Sequence, residues 1–286
     1  MRSILRILSL FLLTVTLAPG CNPGNQTPPL RFNLEKGKAY AYDLAIDMSQ
    51  EVGGQKMDSR MQFAYRMDVV GDSAGIKTIN ATYERLGMQM NAQGKTFVID
   101  TDRPSSDSLN SSDPNQMMQG MYAALKGKSF GLTVDAEGNV LSVTGMSAMV
   151  QNMVNEIKVD DSMRDGLRQM FLAQFNDEIM KQTFAPAFSH YPNKRVEVGD
   201  KWQKQTTAQL GASLTMNTTY TVKAIQNGAV TVSAEAAVAV QNVNGTMTGE
   251  YVMDAKTGLL LSGNFRQSFG APLSMKAEGR ISGKAL

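Results

Sequence analysis

Residues 38–69 read KAYAYDLAIDMSQEVGGQKMDSRMQFAYRMDV, and their spacing decides the class of the fold. Tyr40, Tyr42, Leu44, Ile46 and Met48 alternate with Ala41, Asp43, Ala45 and Asp47. After Gly53 and Gly54 the same beat resumes, with Met57, Met61, Phe63, Tyr65, Met67 and Val69 set against Asp58, Arg60, Gln62, Arg66 and Asp68. A period of two places one set on each face of a strand, so the stretch predicts a long antiparallel hairpin with one apolar face.

Working outward, a glycine-bearing turn at 71–75 leads into a third strand through Ile79, Ala81 and Tyr83. Around Gly87 the apolar parity changes to Leu86, Met88 and Met90, which predicts a bulge, and Phe97 and Ile99 mark a fourth strand. The polar run 103–115 ends in a helix start, with Asp113 as N-cap, Pro114 at the first position and Gly127 past the end. Met117, Met121 and Leu125 give that helix one stripe. A hairpin follows, Phe130/Leu132/Val134 with Val140/Val143, turned at Glu137-Gly138-Asn139.

The period then becomes helical. Met146, Met149, Val150, Met153, Val154 and Ile157 define one helix, Met163, Leu167, Met170 and Phe171 a second capped by Asp160 or Asp161, and Asn176 opens a third. Beyond Pro192 the period of two returns to the end, with Asn227-Gly228 as its strongest hairpin signal. The expected class is α+β, with long-stranded antiparallel β-sheets, either duplicated or half-barrel-like, and a central helical segment. The boundaries are 1–20 for a signal peptide, 21–31 for a flexible tether, 32–144 for an N-terminal β unit with one short helix, 145–189 for the helices and 190–286 for a C-terminal β unit. The two β units form one continuous domain or stand apart. LEKGKAY (34–40) and VEVGDKW (196–202) share one pattern ahead of a long strand. Duplication and convergent lead-in chemistry both account for it.

The first twenty residues carry Arg2 and Arg6, an uncharged apolar run from Ile7 to Ala18, and Gly20 ahead of Cys21, the single cysteine of the chain. That layout is an export signal, and its run is too short for a comfortable bilayer span of about 20 residues. Leu17-Ala18-Pro19-Gly20-Cys21 resembles a bacterial lipobox, although Pro19 departs from the usual residue there. The resemblance implies that Cys21 becomes the acylated first residue and carries a palmitate-type anchor, which also removes an idle thiol from an oxidising compartment. Asn22 after the cysteine implies, by resemblance to sorting rules, the periplasmic face of the outer membrane. The whole chain has 28 basic and 26 acidic residues, and the loss of Arg2 and Arg6 leaves the two equal. Nothing in that balance points to nucleic acid.

The segments LEKGKAY, FGLTVDAEGNVLSVTG (130–145), VEVGDKW and DAKTGLLL (254–261) resemble a family of uncharacterised bacterial lipoproteins, domain of unknown function 6263. The resemblance implies no activity. The 254–258 turn also resembles one hairpin of the half-barrel carriers that move lipoproteins between bacterial membranes, which implies a groove.

Catalytic groups are scarce. His190 is the one histidine, no G-x-S-x-G elbow is present, and one histidine cannot build a zinc site. No enzyme, no catalytic residue and no cofactor is expected. The alternatives are a hydrolase using His190 with Asp100 or Asp102, and a periplasmic Cu(I) binder using the soft thioethers of Met117, Met118 and Met121. The chain has 20 methionines, mostly in the apolar phase of its elements. Flexible thioethers adapt to varied apolar partners, so Met146, Met149, Met153, Met163 and Met170 on successive helices are the candidates to bind an apolar ligand or an envelope protein.

Overall fold

The computed structural model describes residues 28–52, 54–92, 94–102, 119–120, 122–156, 160–173, 175–209, 213–240 and 243–286. Its strands are β1 (Ala39–Val52), β2 (Gln55–Ser73), β3 (Ile76–Ala92), β4 (Lys95–Asp100), β5 (Ser129–Val134), β6 (Val140–Thr144), β7 (Lys201–Gln209), β8 (Ser213–Gln226), β9 (Ala229–Val240), β10 (Val243–Asp254), β11 (Leu260–Phe269) and β12 (Met275–Ala285). Among the described residues its longer helices are α1 (Met146–Glu156), α2 (Asp161–Leu172) and α3 (Asp177–Phe188).

All twelve strands belong to one antiparallel sheet, ordered β6-β5-β3-β2-β1-β12-β11-β10-β9-β8-β7, with β4 on the free length of β3. The first and last strands of the chain meet in its middle, from Tyr40 opposite Ala285 to Gln50 opposite Met275. The two β units are therefore joined by an unbroken hydrogen-bond ladder. The sheet does not close on itself, and its ends are β6 and β7. Helix α3 packs against both of them and bridges the gap. Its stripe at Met180, Phe184 and Phe188 is buried, with Phe184 5.4 Å from Phe130 and Phe188 5.6 Å from Phe32, ring centre to ring centre. The architecture is an α+β half-barrel with a helix across its opening.

The alternation read from the sequence survives as a difference between faces. On β9, Val230, Val232, Ala234, Ala236 and Val238 are buried, while Thr231, Ser233 and Glu235 are not. The expected bulge in β3 falls at Glu84, where the register steps from Arg85 opposite Ala64 to Tyr83 opposite Tyr65. One extra residue restores the apolar phase, so Tyr83 and Leu86 are both buried. Asp160 is the cap of α2, accepting from the Met163 N–H at 2.8 Å. Asp177 of α3 accepts from the Met146 and Ser147 N–H groups, which ties the start of α1 to α3.

The expected tether ends earlier than residue 31. Leu30, Phe32 and Leu34 are at most 1 % exposed and run as a strap across the turn-bearing end of the half-barrel. Its backbone bonds to Lys194, Ala136 and Thr257 from three separate connections. Apolar side chains at alternate positions won over the flexibility suggested by the prolines, because burying each contributes roughly 1.5–3 kcal/mol. The two lead-in motifs make matching turns. The Gly37 N–H donates to Val69 O and Val69 N–H to Lys38 O, while Gly199 N–H donates to Val222 O and Val222 N–H to Asp200 O. A register shift follows each, after Val69 and after Val222.

Candidate ligand-binding face

The one-to-one register of the ladders fixes which side chains share the inner face away from the strap. One row across the sheet runs Tyr220, Ala234, Gly249, Phe265, Gly279, Ile46, Met61, Met88 and Ile99. The next runs Thr218, Ala236, Met247, Gln267, Ala277, Met48, Ser59, Met90 and Phe97. A third runs Met216, Val238, Gly245, Phe269, Met275, Gln50 and Met57. Met48, Met57, Met61, Met88, Met90, Met216, Met247 and Met275 are all half-buried.

The glycines of this face are there to seat rings. A Cβ on Gly279 would overlap the Phe265 ring, and one on Gly245 would overlap that of Phe269. Aromatic rings laid across glycines keep the floor low, and unbranched methionines stand around them. Part of the face is covered locally, where Leu214, Ala236, Val238 and Phe269 form a small core with Leu273 against it. The outer face is the chemical opposite. It carries pairs such as Arg60 with Asp47 at 2.5 Å and Arg266 with Glu278 at 3.1 Å. Depressions of about 470 and 500 Å³ lie on that polar side, the first lined by Asp43, Arg85, Glu250, Asn264 and Arg280.

The sequence candidates do not gather at one place. Cys21, Met117, Met118 and Met121 lie outside the described residues. Met146, Met149 and Met153 are buried in the main core, whereas Met163 and Met170 are 47 % and 40 % exposed on α2. The five do not line one interior, because α2 turns Phe171 inward and leaves the other side of its apolar stripe outside. Asp102 is bonded to Lys126 at 2.7 Å, which with Arg85 holds its carboxyl below the usual range. Asp100 sits 3.5 Å from the Arg85 guanidinium. His190 has neither acid beside it, so the hydrolase arrangement is not assembled. Among the described residues no three His, Cys, Asp or Glu side chains cluster as metal ligands, and no helix is long and apolar enough to cross a bilayer.

A family model described as a family of unknown function (DUF6263) matches residues 74–260, more than half of the chain. The chain belongs to the DUF6263 family. No curated protein matches it. Among solved structures, a DUF1329 family protein from Desulfovibrio piger is similar at 9 % identity over 86 % of this chain and 84 % of that one, with a TM-score of 0.16. OccK2 (OpdF) of Pseudomonas aeruginosa, in complex with glucuronate, is similar at 10 % identity over 92 % and 99 %, with a TM-score of 0.15. Scores this low support no argument about fold or function.

In this DUF6263 chain His190 is a structural residue. Its Nδ1 lies 2.9 Å from the Tyr220 hydroxyl, its ring stacks on Tyr251 at 5.0 Å, and its carbonyl accepts from Trp202 Nε1 at 3.2 Å. Burial pushes its pKa down to about 4, against a smaller opposing effect of its hydrogen bond with the Ala187 backbone. The unfolded chain binds this proton at higher pH than the folded one, so stability falls as pH drops from 6.5 toward 4, by about 3 kcal/mol in all. Urea midpoints measured across that window should show the slope in the wild type and lose it in His190→Gln. Equal slopes in the two proteins would contradict the assignment.

Sequence reasoning placed the methionines of β1 to β3 on an apolar strand face but singled out those of the helices. The missed signal was length. Strands of 14, 19 and 17 residues are longer than α1, α2 and α3, and their far ends keep the apolar phase.

Proposed function

We propose that this protein is a cell-envelope lipoprotein, tethered by acyl chains on Cys21 at the periplasmic side of the outer membrane, that holds an apolar ligand against its methionine face and catalyses no reaction. The observation that carries the reading is the row from Met247 to Phe97. Its Met247, Met48, Met90 and Phe97 are half-buried on the inner face of an unclosed sheet, where a packed core would bury them fully. Large apolar surfaces left partly open mark binding sites for apolar partners. Methionine suits the task because its three rotatable bonds let the lining fill the space alone and move aside for a guest. The lipobox supports the location, and the buried strap supports it further, since eight residues, with a reach of at most about 32 Å, separate Cys21 from the buried Leu30.

One experiment tests both halves. Cells grown with a clickable fatty acid should yield labelled protein, and native mass spectrometry after gentle extraction should show a co-purifying apolar molecule. Protein without the label refutes the anchor. Labelled protein that carries no such molecule, and takes none up from a lipid extract, refutes the ligand.

A further inference from the structure

The central row of the methionine face is not wholly apolar. Gln267 on β11 and Ser59 on β2 point inward in it, separated by Ala277 and Met48. Among the described residues the Gln267 Nε2 and the Ser59 Oγ are both shielded from solvent and neither has a hydrogen-bond partner. Thr218 lies in the same row and is 4 % exposed. The rows on either side, through Met61 and Phe265 and through Met275 and Phe269, carry rings, glycines and thioethers at the positions facing Gln267 and Ser59, apart from Gln50. Gln50 is itself occupied by a contact from its Nε2 to the Met57 sulfur at 3.9 Å.

An unpaired shielded donor costs roughly 1–3 kcal/mol, and folded proteins keep few of them. A leucine at 267 would pack as well and avoid that cost. The cost is recovered when a guest brings an acceptor to the amide. A saturated hydrocarbon cannot do so, and a carboxylate would be a buried charge facing one neutral donor, without a cation to pair it. A neutral ester carbonyl fits, with its chains against the methionines. The two donors stand three strands apart, about 14 Å at the usual spacing, so one oxygen cannot serve both. A ligand with oxygen at more than one point is required.

We infer that the ligand is a diacyl ester lipid, whose ester carbonyl accepts a hydrogen bond from Gln267 Nε2 while a second oxygen function reaches Ser59. This rests on the apolar-ligand reading above and specifies its chemistry. The donor selects the linkage, and the methionines accept the chain without regard to it.

The test is a matched pair of probes, dioctanoyl phosphatidylcholine and its dioctyl ether analogue, which lacks the carbonyls. Each is titrated calorimetrically into the mature protein held in amphipol. The ester should bind about tenfold more tightly than the ether, the worth of one hydrogen bond to an otherwise unpaired donor. Gln267→Leu, with its fold checked by circular dichroism, should weaken the ester to the level of the ether and leave the ether unchanged. Equal binding of the two probes by the wild type overturns the inference and leaves the apolar-ligand reading standing. A preference that survives Gln267→Leu overturns the role of Gln267. Binding of neither probe overturns both readings. If Gln267→Leu does not fold, the wild-type comparison alone decides.

Discussion

Phe32→Ala is expected to lower stability by about 3–5 kcal/mol, the usual cost of emptying a large buried aromatic site. Phe32 is 1 % exposed, meets the Phe188 ring edge-on at 5.6 Å and sits 5.9 Å from Tyr191. Its N–H also donates to Ala136 O at 2.9 Å. Beyond one antiparallel bridge between Leu30 and Lys194, the strap is held by its side chains and single backbone bonds to Ala136 and Thr257. Removing the ring leaves a cavity where α3, the strap and the 190s segment converge, and none of the three can collapse without breaking its own contacts. A urea melt gives the number. A loss under 1 kcal/mol, well short of the usual range, would mean that the strap is dispensable to the body. In cells the same variant should be depleted severalfold, since a loss of even 1–2 kcal/mol alters abundance.

Gly138→Ala should be as damaging without removing any atom. Gly138 turns β5 into β6 with φ +80, a backbone conformation that alanine reaches at a cost of order 1 kcal/mol. A Cβ there would also overlap the Phe188 carbonyl and press on the Tyr191 ring. That carbonyl is backbone at the end of α3, so it cannot swing away as a side chain would. Strain of this kind adds about 1–3 kcal/mol, for a combined loss near 3 kcal/mol. Gly228→Ala is the control, with φ +75 and open space around the missing Cβ, and should lose only the conformational part. Equal thermal midpoints for the two variants would show that the approach of Phe188 to the turn is not tight.

Phe32 and Gly138 belong to elements that the sequence disclosed unequally. The strands were legible because each half-buried strand repeats its burial in its own letters, as in Tyr40, Tyr42 and Leu44. The hairpins were legible at Asn227-Gly228 and Glu137-Gly138 because few residues accept positive φ. The strap was not, since Leu30, Phe32 and Leu34 alternate over too short a span to outweigh the prolines beside them. The bulge was seen as a change of parity, and its placement three residues away, at Glu84, follows from the partner strand alone. Among the candidate site residues, the apolar stripe of α2 was legible but its orientation was not, and only the Phe171 side found a surface to pack on, which leaves Met163 and Met170 exposed.

By itself the sequence determined the class of each segment and the alternation of strand faces, because these depend on neighbours within a few residues. Only the tertiary structure decided that α3 spans the unclosed ends, that β1 pairs with β12 and that Gln267 and Ser59 share a row with Met247, Met48 and Met90 from three other strands. The last two rest on register between segments more than 200 residues apart, and register is set by the sum of many cross-strand contacts that no local pattern encodes.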